Sequence, residues 1–309
     1  MTALSKNRRL SGSRPASLLA QLVTGRTKNR HLMGWLLASP LALVLLVFLV
    51  LPIVMIAIVS FWGATEFSIY PAFQWDNYQF LLTSPVTYKV FLNTFKYAVL
   101  TWAFTLTIGF TVAYFLAFHV RSLTWQIALF LLCTIPFWTS NIIRMISWIP
   151  FLGRNGIANS TLMSMGVIDE PLDWLLYSDF SVILAFVHLY TLFMVVPIFN
   201  TMMRIDRSLI EAAYDSGATG WQTLTNVIIP LCKPGIMIGS IFVVTLVMGD
   251  FITVRFMSGS QSANVGRLIS NDIGLLQYPS AAATAVILLI TVLMVIGILL
   301  RFVDIRKEL

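Results

Sequence analysis

A chain of 309 residues that is 58% hydrophobic and 11% charged is not composed like a soluble domain, for which about 45–50% apolar and about 25% charged residues are ordinary. Two cysteines exclude a disulfide framework. The net charge of +7 does not mark a nucleic-acid surface, because much of it sits in one acid-free stretch, at Lys6, Arg8, Arg9, Arg14, Arg26, Lys28 and Arg30, as suits anionic lipid beside a membrane.

That stretch, residues 1–33, reads as a basic N-terminal tail. It is too long, and the apolar run after it about twice too long, for a cleaved signal peptide. Six apolar runs follow, at about 34–62, 91–118, 125–152, 179–203, 236–258 and 280–302, and about 20 residues suffice to cross a bilayer. Runs of this length satisfy their own backbone in lipid only as helices. The expected fold class is therefore an all-α integral membrane protein with six transmembrane helices, spanning 34–302, and a short tail at 303–309. Pro40, Pro52, Pro136, Pro150 and Pro197 lie within the runs and mark expected kinks. Cys133, in the third run, reads as a small buried hydrophobe, and nothing singles out Cys232.

The basic residues in the loops and at the ends of the runs give an orientation. With both termini in the cytosol, the inner side holds the seven tail residues with Arg121, Arg204, Arg207, Lys233, Arg301, Arg306 and Lys307, and the outer loops hold Lys89, Arg154 and Arg267. Such an excess belongs on the cytosolic side.

The loop between the fourth and fifth runs, about 204–235, is thereby cytosolic. Ser208 to Glu211 matches a capping box, and Thr219 to Gln222 a second one. Ala212 and Ala213 favour helix, and Gly217 suits a left-handed helix stop. Pro230 and Pro234 follow. The pattern predicts a helix, a glycine corner, a second short helix and a proline-guided return to the membrane.

Glu211-Ala212-Ala213, three residues, Gly217, nine residues, then Val227-Ile228-Ile229-Pro230 resembles the EAA motif of bacterial ABC importer permeases. Val227 and Ile229 replace the isoleucine and leucine of that pattern with little change in volume. "PFWTSNIIRMISW" (136–148), "LGRNGIAN" (152–159) and "MGDFIT" (248–253) resemble segments of spermidine/putrescine-type permeases, the last of them a G-D-F-V-T motif; Val254-Arg255 stands where that family often has proline. The resemblance implies the type I importer (MetI-like) fold, with the EAA loop as a coupling helix on an ATPase dimer. It also implies a second similar permease subunit and a periplasmic solute-binding protein. Glu211 reads equally as a helix cap and as a partner contact. No G-x-x-x-x-G-K-S/T phosphate loop occurs in the chain, so ATP is expected on a separate subunit and no cofactor on this one.

Lys96, Arg144, Asp250 and Arg255 lie within the expected spans, where ionisable groups are functional candidates. All four fall in the outer half of the bundle, suited to a vestibule that receives solute. The plainer reading is that they pair with one another, or that the cations snorkel; a carboxylate such as Asp250 snorkels less readily. His188 is expected to be hydrogen-bonded in the interior. Trp138, Trp148 and Tyr190 offer cation–π surface or packing. Asp250 would attract a polycation and the three cations would repel it, which leaves room for a zwitterion. The solute is expected to be small and organic, polyamine-like or amino-acid-derived. A proton-coupled secondary transporter working through Asp250 is the alternative, but it leaves the EAA loop unexplained and no inverted repeat is visible. His31, His119 and His188 have no paired ligand spacing, so neither a metal site nor an enzyme is expected.

Overall fold

The computed structural model describes residues 37–65 and 68–301. The expected tails at 1–33 and 303–309 lie outside these residues, as do positions 34–36 and 302 at the edges of the expected permease domain. The chain divides into two units, one ending at Met55 and one beginning at Ile56. In the first, residues 37–55 are helical, with a π-turn at Leu46–Val50. This apolar helix, α1 (Leu37–Val59), ends four residues into the second unit.

In the second unit a small antiparallel hairpin, β1 (Gly63–Ala64) and β2 (Ile69–Tyr70), precedes α2 (Asp76–Thr83) and the long α3 (Pro85–His119). After α4 (Leu123–Trp138) come three short helices, α5 (Asn141–Ile146), α6 (Trp148–Leu152) and α7 (Ile157–Ser164). Then follow α8 (Asp179–Met202), α9 (Arg207–Asp215) and α10 (Gly220–Gly249). The described chain closes with α11 (Ile252–Met257), α12 (Val265–Gly274) and α13 (Tyr278–Arg301).

Five of these helices, α1, α3, α8, α10 and α13, are long and apolar enough to cross a membrane, or six with the third span counted as one broken span. That span, expected over 125–152 with kinks at its prolines, is broken outright. Pro136 lies in a 3₁₀ turn, Ile135–Trp138, Thr139 is extended, and the two halves meet at 90°. Proline removes the N–H that would continue the α-helical ladder. The fifth span also differs. Its helix begins at Gly220 rather than near residue 236, and Pro230 and Pro234 lie inside it, after a π-turn at Leu224–Ile228. So the second short helix of the cytosolic loop is the first part of α10. At 30 residues and about 1.5 Å per residue, α10 is longer than the roughly 30 Å hydrocarbon layer requires.

The core is the contact of α3, α8 and α10. Lipid supplies no hydrophobic drive between helices, so close approach must come from small residues. Met194 of α8 is fully buried, and a β-carbon on Gly109 of α3 would stand 2.8 Å from its Cγ, one on Gly239 of α10 2.7 Å from its Sδ. One turn away, a β-carbon on Gly235 would meet the Pro197 carbonyl at 2.6 Å and Thr201 Oγ1 at 2.5 Å. Trp102 Nε1 donates to Ser240 Oγ at 2.8 Å and ties α3 to α10. Cys232 proves to be fully buried in this core, whereas Cys133 is half-buried.

Gly235→Val is expected to force α8 and α10 apart and to lower stability by about 1–3 kcal/mol, the usual cost of overpacking. Gly297→Ala, where a β-carbon meets nothing within 4 Å, is the control. Thermal unfolding in detergent checks the pair; equal melting temperatures would contradict the packing described.

Candidate functional site

Polar groups collect at the two ends of the three-helix core. At one end α9 and the start of α10 form a corner. Gly217 takes φ +83° between them, a left-handed conformation that glycine adopts without steric cost. The second expected capping box is present: Gln222 Oε1 accepts from Thr219 N at 2.8 Å, and Thr219 Oγ1 accepts from Gln222 N at 3.3 Å. The first is not. Asp206 caps α9 instead, accepting from Ser208 N at 3.0 Å. The helix therefore begins at Arg207 and leaves Ser208 inside its first turn. The same hydrogen bonding holds the Asp206 carboxyl below the usual carboxylate range. Its capping contribution is present above the ordinary carboxylate pKa and is lost as pH falls through the lowered value.

Freed from capping, Glu211 is exposed and lines a cavity of about 320 Å³ with Arg207, Tyr214 and, from the end of α3, Tyr114 and His119. Ala212 is exposed on α9 and Ala213 half-exposed. Pro230 lies two residues past the π-turn, inside α10 rather than at a return to the membrane.

The other end carries the charges that were expected within spans. They do not pair with one another. Lys96 Nζ donates to Asp179 Oδ2 at 2.6 Å, the first residue of α8, and Tyr97 OH donates to the other oxygen of the same carboxylate. Ser262 Oγ lies 2.7 Å from that hydroxyl. Asp250 stands where α10 ends, with extended backbone. Its carboxylate accepts from Tyr190 OH at 2.7 Å, from Thr253 Oγ1 at 2.6 Å and from Thr253 N at 2.9 Å, which caps α11. Asn264 Nδ2 donates to the Asp250 carbonyl at 2.7 Å, while its Oδ1 caps α12 through Arg267 N at 3.0 Å. The segment between α11 and α12 is also stitched to the core: Val265 N donates to Thr94 Oγ1 at 3.0 Å, and Ser181 Oγ donates to the Met257 carbonyl at 2.8 Å.

Arg144 of α5 is buried and bonded to Asn141 on its own helix. Its helix packs against α8, which carries His188 and Tyr190. His188 has the hydrogen-bonded interior role expected, accepting from Trp148 Nε1 at 2.9 Å. Arg255 is exposed on α11. Trp138, at 85% exposure beside the break in the third span, packs little of its ring. Arg144 and Asp250 thus share one neighbourhood with Tyr190, whereas Lys96 belongs to the Asp179 cluster. Asp179, Tyr97, Thr253 and Asn264 were not singled out from sequence; Lys96 and Asp179 are 83 residues apart, and no local pattern links them. Among the described residues no group of three or more His, Cys, Asp or Glu is placed to hold a metal ion.

A bundle of apolar helices, with a buried arginine and a half-buried aspartate beside the breaks of two spans and a polar glycine-cornered helix at one end, defines a membrane permease. The family model described as a binding-protein-dependent transport system inner membrane component matches residues 22–308, and the chain belongs to that family. Over 261 residues it is 33% identical to the spermidine/putrescine transport system permease protein PotB of Escherichia coli (strain K12), covering 83% of this chain and 91% of that one. It is 27% identical to the inner membrane ABC transporter permease protein YdcU of the same organism, over 71% and 73% of the two chains. A chain in the crystal structure of a bacterial alginate ABC transporter, in complex with an alginate pentasaccharide-bound periplasmic protein, superposes with a TM-score of 0.72 at 17% identity, covering 89% of this chain and 94% of that one; that likeness is one of fold. The chain is a multi-pass inner-membrane permease subunit of an ABC importer that works with a periplasmic binding protein. It is itself non-catalytic, and ATP is hydrolysed on a separate subunit.

Lys96→Met is expected to lower the melting temperature by leaving Asp179 without its cation. Adding Asp179→Asn should restore part of the loss. Both side chains are partly exposed, at 39% and 45%, so the coupling should be about 1 kcal/mol or less. Strictly additive losses in the double variant would contradict the pairing.

Proposed function

We propose that this permease carries a small organic solute, a polyamine or a related amino-acid-derived compound, across the inner membrane in an ATP-driven cycle. The observation that carries the reading is the 33% identity to PotB over 83% of the chain, supported by the Asp250 carboxylate at the break of the fifth span. In this reading the chain pairs with a second similar permease and rests on two ATPase subunits. A periplasmic binding protein delivers solute from outside. Both termini are cytosolic, with residues 1–33 and 303–309 as tails on either side of the permease domain at 34–302.

The ATPase contact is assigned to the corner of α9 and α10. Glu211, Ala212 and Ala213 offer the docking helix, Gly217 the angle, and Pro230 a fixed point on the helix that carries the movement inward. Small side chains on α9 suit close packing in a groove. The solute route is assigned to Asp250, Arg144 and Arg255, with Lys96 drawn aside by Asp179 and Trp138 at the rim. Alternating access follows when closure of the ATPase subunits, felt at α9, rocks the two permeases between inward-open and outward-open states.

Reconstitution tests the reading. Proteoliposomes containing this chain, its partner permease and its ATPase should take up putrescine or spermidine only with ATP and the binding protein present; uptake without the ATPase would contradict it. Gly217→Val sharpens the test. A β-carbon there meets nothing within 4 Å, so the cost is that of a left-handed backbone alone, about 1–2 kcal/mol. The variant should insert normally yet lose the ATPase on purification, or hydrolyse ATP without moving solute. Wild-type coupling in this variant would show the corner to be a mere connector.

A further inference from the structure

We propose that Tyr190 is a positioning residue of the transport cycle: its hydroxyl holds Asp250 apart from Arg144 in this state and releases it to Arg144 in the opposite one. The inference rests on the permease reading above.

Asp250 and Arg144 are opposite charges beside the breaks of two spans, and they are satisfied unequally. All three hydrogen bonds to the Asp250 carboxylate come from neutral donors, Tyr190 and Thr253. Arg144 is 7% exposed, its guanidinium reaches Asn141 on its own helix, and its Nε has no hydrogen-bond partner. A buried charge with an unused donor is costly to maintain, so a better partner within reach is expected in some state of the cycle. Among the described residues neither ion pair within 4 Å involves Arg144 or Asp250. Tyr190 donates to Asp250 and lies on the helix against which the helix of Arg144 packs. The helices carrying these groups touch: α5, which bears Arg144, packs on α8, which bears Tyr190, and on α11, which the Asp250 carboxylate caps.

The backbone also permits an exchange. Thr139 and Asp250 are extended, at φ −93°, ψ 152° and φ −84°, ψ 109°, so each half-span is joined to the next by a residue outside the helical ladder. A pair made in both states would not leave Arg144 Nε unused here. A pair made in one state only gives that state a differential interaction energy, and this is what moves a two-state equilibrium. Tyr190 sets the balance, because its bond to Asp250 competes with the pair.

The test uses the whole complex, permeases with ATPase and binding protein, and reads the ratio of solute-free to solute-stimulated ATP hydrolysis. Tyr190→Phe removes only the competing hydroxyl and should shift the ratio by about tenfold, the scale of a hydrogen bond to a charged group. Arg144→Gln removes the pair itself and should shift it in the opposite direction. Both shifts should vanish in an Asp250→Ala background, where neither partner has a carboxylate to hold. An unchanged ratio in Tyr190→Phe, or shifts of the same sign in the two variants, overturns the inference. Should Tyr190→Phe fail to assemble, a shift in Arg144→Gln that persists in the Asp250→Ala background overturns it equally. Solute-stimulated hydrolysis by the unaltered complex reports on the permease reading separately, so a coupled complex with an indifferent Tyr190 refutes the exchange and leaves the function standing.

Discussion

The close contact of α3, α8 and α10 around Met194 is the constraint on which the rest of the second unit depends. Apolar helices gain nothing from leaving lipid for one another, and they hold together only where backbones come close and polar groups meet. Gly109 and Gly239 leave space for Met194 from opposite sides, and Gly235 lets α10 approach the backbone of α8 at Pro197. Trp102 and Ser240 add a hydrogen bond across the same seam. Any larger residue at these glycines would open a gap that lipid cannot fill with equivalent contacts.

Because α8 and α10 run antiparallel through this seam, it joins the two polar ends. Residue 194 meets 239 near mid-helix, residue 201 meets 235 toward α9, and residue 190 meets 250 at the far break. The Gly217 corner and Asp250 are thus joined by one continuous helix, α10, with no loop between Gly220 and Gly249. The breaks themselves are fastened by specific bonds. Thr253, Tyr190 and Asn264 hold the backbone and carboxylate of Asp250, and Asp179 gathers Lys96 and Tyr97. The broken backbone at 250–251 is half-buried against the core, whereas that at 135–140 is exposed on this single chain.

The number of spans, the all-α class and the glycine corner at 217 were legible because each depends on local pattern: long apolar runs, a turn residue, a motif at fixed spacing. What was not legible depends on distant partners. The pairing of Lys96 with Asp179 and of Asp250 with Tyr190 joins residues 83 and 60 apart, and a single sequence carries no sign of such distances. The missed cap at Asp206 has a different cause. Ser208 to Glu211 satisfies the capping pattern, but Asp206, two residues earlier, takes the Ser208 N–H that Glu211 would have to accept, and the helix starts at Arg207. The proline rule failed at Pro230 and Pro234 because packing against α8 sustains a helix that propensity alone would end.

Distances between spin labels test most directly whether the three-helix core moves as one body from corner to break. One label is placed at exposed Trp221, at the start of α10, and the other at exposed Gly249, at its end, with the complex cycled between nucleotide-free and ATP-bound states. The expected result is an unchanged separation between these labels while the solute route changes its access. A separation that shifts with nucleotide in a fully coupled complex would mean that α10 bends during the cycle, and would contradict rigid transmission through the glycine-lined seam.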